Sequence, residues 1–138
     1  MIYTSYFGKL KKLPKNVFPV AISAIVPSWY TGARYSNLAP DYDMLMQWKI
    51  DHNNDNYAEC FNNTVLEKLD VIKTLDELHM LLPDEARIQM QCPVWNNLNW
   101  HIALVCYEKP SDFCHRHIVA EWLQRNDIDC EEWEDCYV

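Results

Sequence analysis

Glycine is nearly missing from this 138-residue chain, with Gly8 and Gly32 the only two. Neither GxGxxG nor GxxxxGK[ST] can be written with them, which excludes a fingerprinted dinucleotide fold and a P-loop. No apolar run reaches the roughly 20 residues a membrane helix needs. The opening stretch MIYTSYFGKLKKLPKN lacks the charged, apolar and small-residue succession of a secretory signal, so a cytoplasmic address is expected. Basic excess is absent too. The net charge is −8, with Asp and Glu crowded between 127 and 135, which disfavours a broad electrostatic hold on duplex nucleic acid or anionic lipid. Any anion must be held locally. The six cysteines form no CxxC pair and no secreted-type framework. In a reducing compartment they read as thiols packed like small hydrophobes, Cys60 and Cys106 above all. A zinc site from Cys106, Cys114, His115 and either Cys130 or Cys136 is conceivable, but Cys-x7-Cys-His spacing matches no standard structural zinc pattern, so neither metal nor cofactor is expected.

Apolar residues, by contrast, are plentiful: 49% of the chain is hydrophobic and 13% aromatic, enough for a core that needs no staples. There is no internal repeat, no low-complexity stretch and no Gly/Ser linker, so one domain over 1–138 is the simplest account. A β-branched and aromatic run at 2–7 reads as a strand closed by Gly8. The nearly unbroken apolar run 19–26, ended by Pro27, reads as a strand buried on both faces, hence parallel and interior. A second such run follows at 101–107. Helices are expected at 42–49, at 55–69 and at 74–82, where Leu75, Leu78 and Leu82 form a stripe. Pro83 ends the last of these or opens a further turn. Residues 89–100 suggest an irregular excursion or a short hairpin. A helix at 113–124 is expected to be N-capped by Asp112 and stopped near Asn126, and 128–133 reads as a charged edge strand. The expected fold is α/β: a small, mostly parallel sheet of about four strands with helices on both faces.

Open parallel sheets bind ligands beyond the carboxyl ends of their strands. Three segments meet that criterion: Ser5 and Tyr6, the loop 27–40, and residues 108–116. In the third, Cys114, His115 and Arg116 fall in the first turn of a helix, where free amides and the macrodipole favour an anion or a thiolate. Cys114 is the candidate nucleophile, His115 or Glu108 the proton carrier, and Arg116 the two-point grip on a phosphate or carboxylate. Lys109 lies beside them. Pro27, Trp29, Tyr30 and Tyr35 offer a stacking wall for a ring, and Arg34 a phosphate contact. The bland alternative has Cys114 packed in the core and Arg116 paired with Glu108 or an acidic tail residue, with the aromatic loop merely tacked onto the core.

The stretch LVCYEKPSDFCHRHIVAEWL at 104–123, with IYTSYF at the start and VPSWYTGARYSNLAP in the middle, resembles the domain-of-unknown-function 488 family over nearly the whole chain. The EKP…CHR element supplies Glu108, Lys109, Pro110, Cys114, His115 and Arg116. Ser5, Tyr6, Pro27, Trp29, Tyr30, Gly32, Tyr35, Leu38, Ala39 and Pro40 fit the family's other two elements. The resemblance implies an α/β fold with these residues gathered around one pocket, and no settled reaction. The expected function is binding of an anionic, nucleotide-like ligand at the Cys-His-Arg motif, with hydrolytic or transferase chemistry. The rival expectation is a non-catalytic acidic protein of phage or mobile-element type that sequesters a nucleotide signal or blocks a basic protein partner.

Overall fold

A computed structural model describes residues 1–86, 100–108 and 112–134. The excursion expected at 89–100 lies outside these residues except for its last position, and Lys109 and Pro110 lie outside them as well. Five strands, β1 (Ile2–Tyr6), β2 (Val17–Ala21), β3 (Ala33–Arg34), β4 (His101–Cys106) and β5 (Cys130–Glu132), form one sheet in the order β3-β2-β4-β1-β5. Every pairing is parallel. The expected α/β class with a parallel sheet is therefore correct. The fifth strand is β3, a two-residue pairing inside what the sequence presents as loop.

Parallel neighbours need crossovers, and right-handed crossovers tie the direction of travel to the face used. From β1 to β2 and from β2 to β3 the chain moves one way along the sheet. From β3 to β4 and from β4 to β5 it moves the other way. The second pair of connections carries the α-helices: α1 (Tyr42–Asp51), α2 (Asn54–Thr64) and α3 (Val71–Met80) lie in one, α4 (His115–Arg125) in the other. All four pack on the face that carries Ile2, Val20, Ile102 and Leu104. The opposite face, with Val17, Ala21, Ala103 and Val105, is covered by the 3-10 helix Phe7–Lys12 and by Val26 and Tyr30 of the following loop. Helices thus flank both faces, unequally.

Local chemistry accounts for the element ends. Asp41, Asn53 and Asp70 N-cap α1, α2 and α3 by accepting backbone N–H bonds, each satisfying a donor that the helix cannot. The helix expected at 55–69 stops at Thr64 and resumes as a 3-10 turn, Leu66–Lys68. Past Pro83, residues 84–86 are again helical. α4 departs from expectation at its start: the N-cap is Cys114, not Asp112, and no side chain caps it. β2 lies two residues earlier than its apolar run suggests, and Ile22–Val26 leave the sheet. Pro19 is tolerated in this strand because β3 joins only from Val20 onward, leaving the strand at the sheet edge where the missing N–H matters least. No helix among the described residues is long and apolar enough to cross a membrane.

Candidate functional site

The chain leaves β2 toward one face and β4 toward the other, which opens a crevice at their carboxyl ends. A cavity of about 330 Å³ lies there. Ser23, Ala24 and Ile25 after β2 form one side, and Cys106, Tyr107 and Glu108 at the end of β4 form another. Cys114 and His115 reach it from the start of α4, while α1 and α2 close it with Leu45, Trp48, Lys49 and Tyr57. Phe113 stacks on Trp48 with ring centres 5.6 Å apart and meets the edge of Tyr57 at 5.2 Å. The wall facing the cysteines is therefore aromatic. Burial and the neighbouring carboxylates, Glu108 first among them, push the Tyr57 phenol well above its ordinary pKa, so it stays a neutral hydroxyl.

The cysteines meet on the cavity floor. Alternation along β4 turns Ile102, Leu104 and Cys106 to the helical face, and α4 delivers Cys114 to the same place. Their sulfurs are in bonding contact, with Cα atoms 7.7 Å apart. Cys106 is thus not the isolated packed thiol expected from its apolar run. Cys60 and Cys130 are free thiols, and burial with the adjacent Glu132 and Glu131 pushes the Cys130 thiol up to about 12. Cys92 and Cys136 lie outside the described residues.

His115 is buried beside them. Its Nε2 lies 2.7 Å from the carbonyl oxygen of Ile22. A carbonyl only accepts, so Nε2 carries the proton and Nδ1 keeps a free lone pair. That Nδ1 is 3.9 Å from the Cys114 sulfur. Burial, only partly offset by the Ile22 bond, depresses the imidazole pKa to about 4. The ring is neutral at physiological pH.

Arg116 faces inward and is fully buried. Nε and Nη2 donate to the two carboxylate oxygens of Glu132 at 3.0 and 3.1 Å. Nη1 donates to the Glu108 carbonyl at 2.5 Å and to the Cys106 sulfur at 3.1 Å. Thr4 Oγ1 completes the carboxylate at 2.7 Å, and the Tyr6 ring lies 5.8 Å from the guanidinium. This is two-point recognition of a carboxylate, but the carboxylate belongs to the protein. The guanidinium braces the ends of β1, β4 and β5 beneath the cavity and does not line it.

Of the sequence-derived candidates, Glu108, Cys114 and His115 line the cavity, and Arg116 and Tyr6 sit behind them. Ser5 is buried, and its Oγ has no hydrogen-bond partner among the described residues. Pro27, Trp29, Tyr30, Arg34 and Tyr35 do not contribute to the described lining. Trp29 and Tyr30 pack on Phe7, which also meets Tyr107 at the rim. Tyr35 is a core residue whose hydroxyl donates to Glu77, and Arg34 is exposed on β3. Sequence reasoning missed Trp48, Tyr57 and Phe113, and reached Glu132 only as one of the acidic tail residues offered as an alternative partner for Arg116. For Glu132 a signal existed: alternation in β5 turns Cys130 and Glu132 to one side and Glu131 to the other, and a carboxylate on the core side demands a cation.

Neither a curated protein nor a solved structure matches the chain. Residues 11–127 match the family model described as DUF488-N3a, active DUF488-N3 subclade. The match takes in Cys106, Glu108, Cys114, His115 and Arg116, and stops short of Glu132 and of Ser5 and Tyr6. With Glu108, Cys114 and His115 lining the crevice and the match spanning most of the sequence, the chain belongs to the DUF488 family, in its N3a subclade.

Proposed function

We propose that the protein is an enzyme acting on a small anionic, nucleotide-like ligand seated in the cavity at the ends of β2 and β4, with Cys114 as the reacting group. One observation carries this reading: Glu108, Cys114 and His115 converge on the floor of a cavity placed at the switch point of a parallel sheet. In reduced protein, His115 Nδ1 faces the Cys114 thiol as a neutral acceptor, because its other nitrogen is committed to Ile22. As the sulfur attacks an electrophilic carbon or phosphorus of the ligand, in hydrolytic or transferase chemistry, its proton passes by way of Nδ1 to the departing group. Glu108 serves the leaving group as proton carrier. The Trp48–Phe113 stack holds the ring, and Lys49 at the rim meets the anion. Arg116 is a positioning residue that acts through Cys106 and the Glu108 carbonyl.

The test is incubation of reduced protein with a panel of nucleotides, followed by chromatography of the products. Turnover that disappears in Cys114→Ser supports the reading. Ligand recovered intact after denaturation replaces it with sequestration, and no shift in melting temperature with any nucleotide refutes the ligand class.

A further inference from the structure

Sγ of Cys106, Sγ of Cys114 and a ring nitrogen of His115 all lie within 4.8 Å of one another, and all three residues are buried. Three observations separate this group from a chance gathering of core side chains. The bond from His115 Nε2–H to the Ile22 carbonyl turns the Nδ1 lone pair toward the sulfurs, and such carbonyl anchoring is how metal-binding imidazoles are held. The 7.7 Å between the Cα atoms of the two cysteines exceeds the span of about 4.4–6.8 Å that disulfides bridge. It suits two thiolates sharing one cation at about 2.3 Å from each. Finally, Arg116 Nη1 donates to the Cys106 sulfur, a contact that favours the thiolate form a metal requires.

We propose that, with both cysteines reduced, Cys106, Cys114 and His115 Nδ1 bind one zinc-class divalent cation whose fourth coordination position faces the cavity. Two thiolates and an imidazole select such an ion over magnesium or calcium, which take oxygen donors. Three protein ligands with one side open is the pattern of zinc sites that exchange a ligand, as opposed to closed structural sites. Charge balance agrees: two thiolates neutralise the cation, and Arg116 is already neutralised by Glu132. Glu108, 3.7 Å from the Cys106 sulfur, sits beside the cluster as a carboxylate able to accept a proton from a water on the open position. The Cys-x7-Cys-His spacing hid this because a strand and a separate helix, not one zinc knuckle, bring the ligands together. The site uses the same side chains as the proposed ligand chemistry and does not depend on turnover.

The test uses fully reduced protein titrated anaerobically with cobalt(II), then with zinc(II). The expected result is an intense near-ultraviolet thiolate-to-cobalt band that saturates at one equivalent and is bleached by zinc. Cys106→Ser, Cys114→Ser and His115→Ala should each weaken binding by more than about tenfold, whereas Cys60→Ser and Cys130→Ser should leave it unchanged. Mass-mapped alkylation of the unaltered protein gives a readout that needs no variant to fold: zinc should slow labelling of Cys106 and Cys114 and leave Cys60 alone. No band from the reduced protein, a band that survives loss of Cys114, or labelling indifferent to zinc overturns the site. A cobalt band without nucleotide turnover keeps the metal site and removes the ligand chemistry; turnover without a band does the reverse.

Discussion

Glu132 holds the one fully buried guanidinium among the described residues, so its removal should cost far more than that of a surface acid. Glu132→Gln leaves Arg116 in the interior without a counter-charge, and a loss of about 3–5 kcal/mol is expected in urea denaturation. Thr4→Val, which removes one neutral donor to the same carboxylate, should lose about 1 kcal/mol. His115 makes a prediction of definite sign. Its folded pKa of about 4 lies below the unfolded value of about 6.5, so the unfolded chain binds the proton first. For reduced, metal-free protein this contribution is complete above about pH 6.5 and is lost as the pH falls toward 4, by up to about 3 kcal/mol. Comparing pH titrations of unfolding free energy for the native protein and His115→Gln isolates it; identical slopes between pH 6.5 and 4 would contradict the assignment. The CHR triplet itself was legible from chemistry and helix position. The direction of Arg116 was not, because whether a guanidinium faces a ligand or an internal carboxylate depends on β5, which pairs with the far end of the chain.

At the scale of elements, apolar periodicity located the helices to within a few residues, and Asp41, Asn53 and Asp70, which that reading did not use, hold three of their starts by satisfying local donors. Asp70→Ala should therefore cost about 1 kcal/mol in thermal or chemical denaturation. The exit of α4 offers the opposite change. Its last carbonyls are bonded by the N–H groups of Asp127 and Ile128, and Asp127 takes a φ of 63°, which an L side chain adopts at some cost. Asp127→Gly should stabilise the protein by a few tenths up to about 1 kcal/mol, visible as a higher melting temperature; a lower one would show that the carboxylate has an unseen role there. The start of α4 and the end of β2 were misplaced for one physical reason. Residues 22–26 and 112–114 are apolar or cap-like, but the crevice takes Ser23, Ala24, Ile25, Phe113 and Cys114 from them as wall, and hydrophobicity alone does not separate a strand from a cavity lining. The aromatic wall was hidden likewise, because Trp48 and Tyr57 read as helix-stripe residues.

The whole molecule follows from two apolar runs separated by helical periodicity, which is why the parallel α/β class is legible in the sequence. The strand order is not. It places β1 between β4 and β5, pairing Ile2 with Ile102 and with Cys130, partners about a hundred residues or more along the chain. Connections this distant make the slowest folding topologies. Refolding of reduced protein from urea should thus be slow for its size, and stopped-flow fluorescence of its tryptophans should lack the sub-millisecond completion typical of helical bundles. As the chain emerges from a ribosome, β1 leaves well before its partners and must wait, apolar and unzipped, until both have been made. Assembly of the chemistry then waits on β5: until it docks, the guanidinium under the cysteines has no counter-ion, so a polypeptide not yet extended that far lacks the brace beneath its cavity.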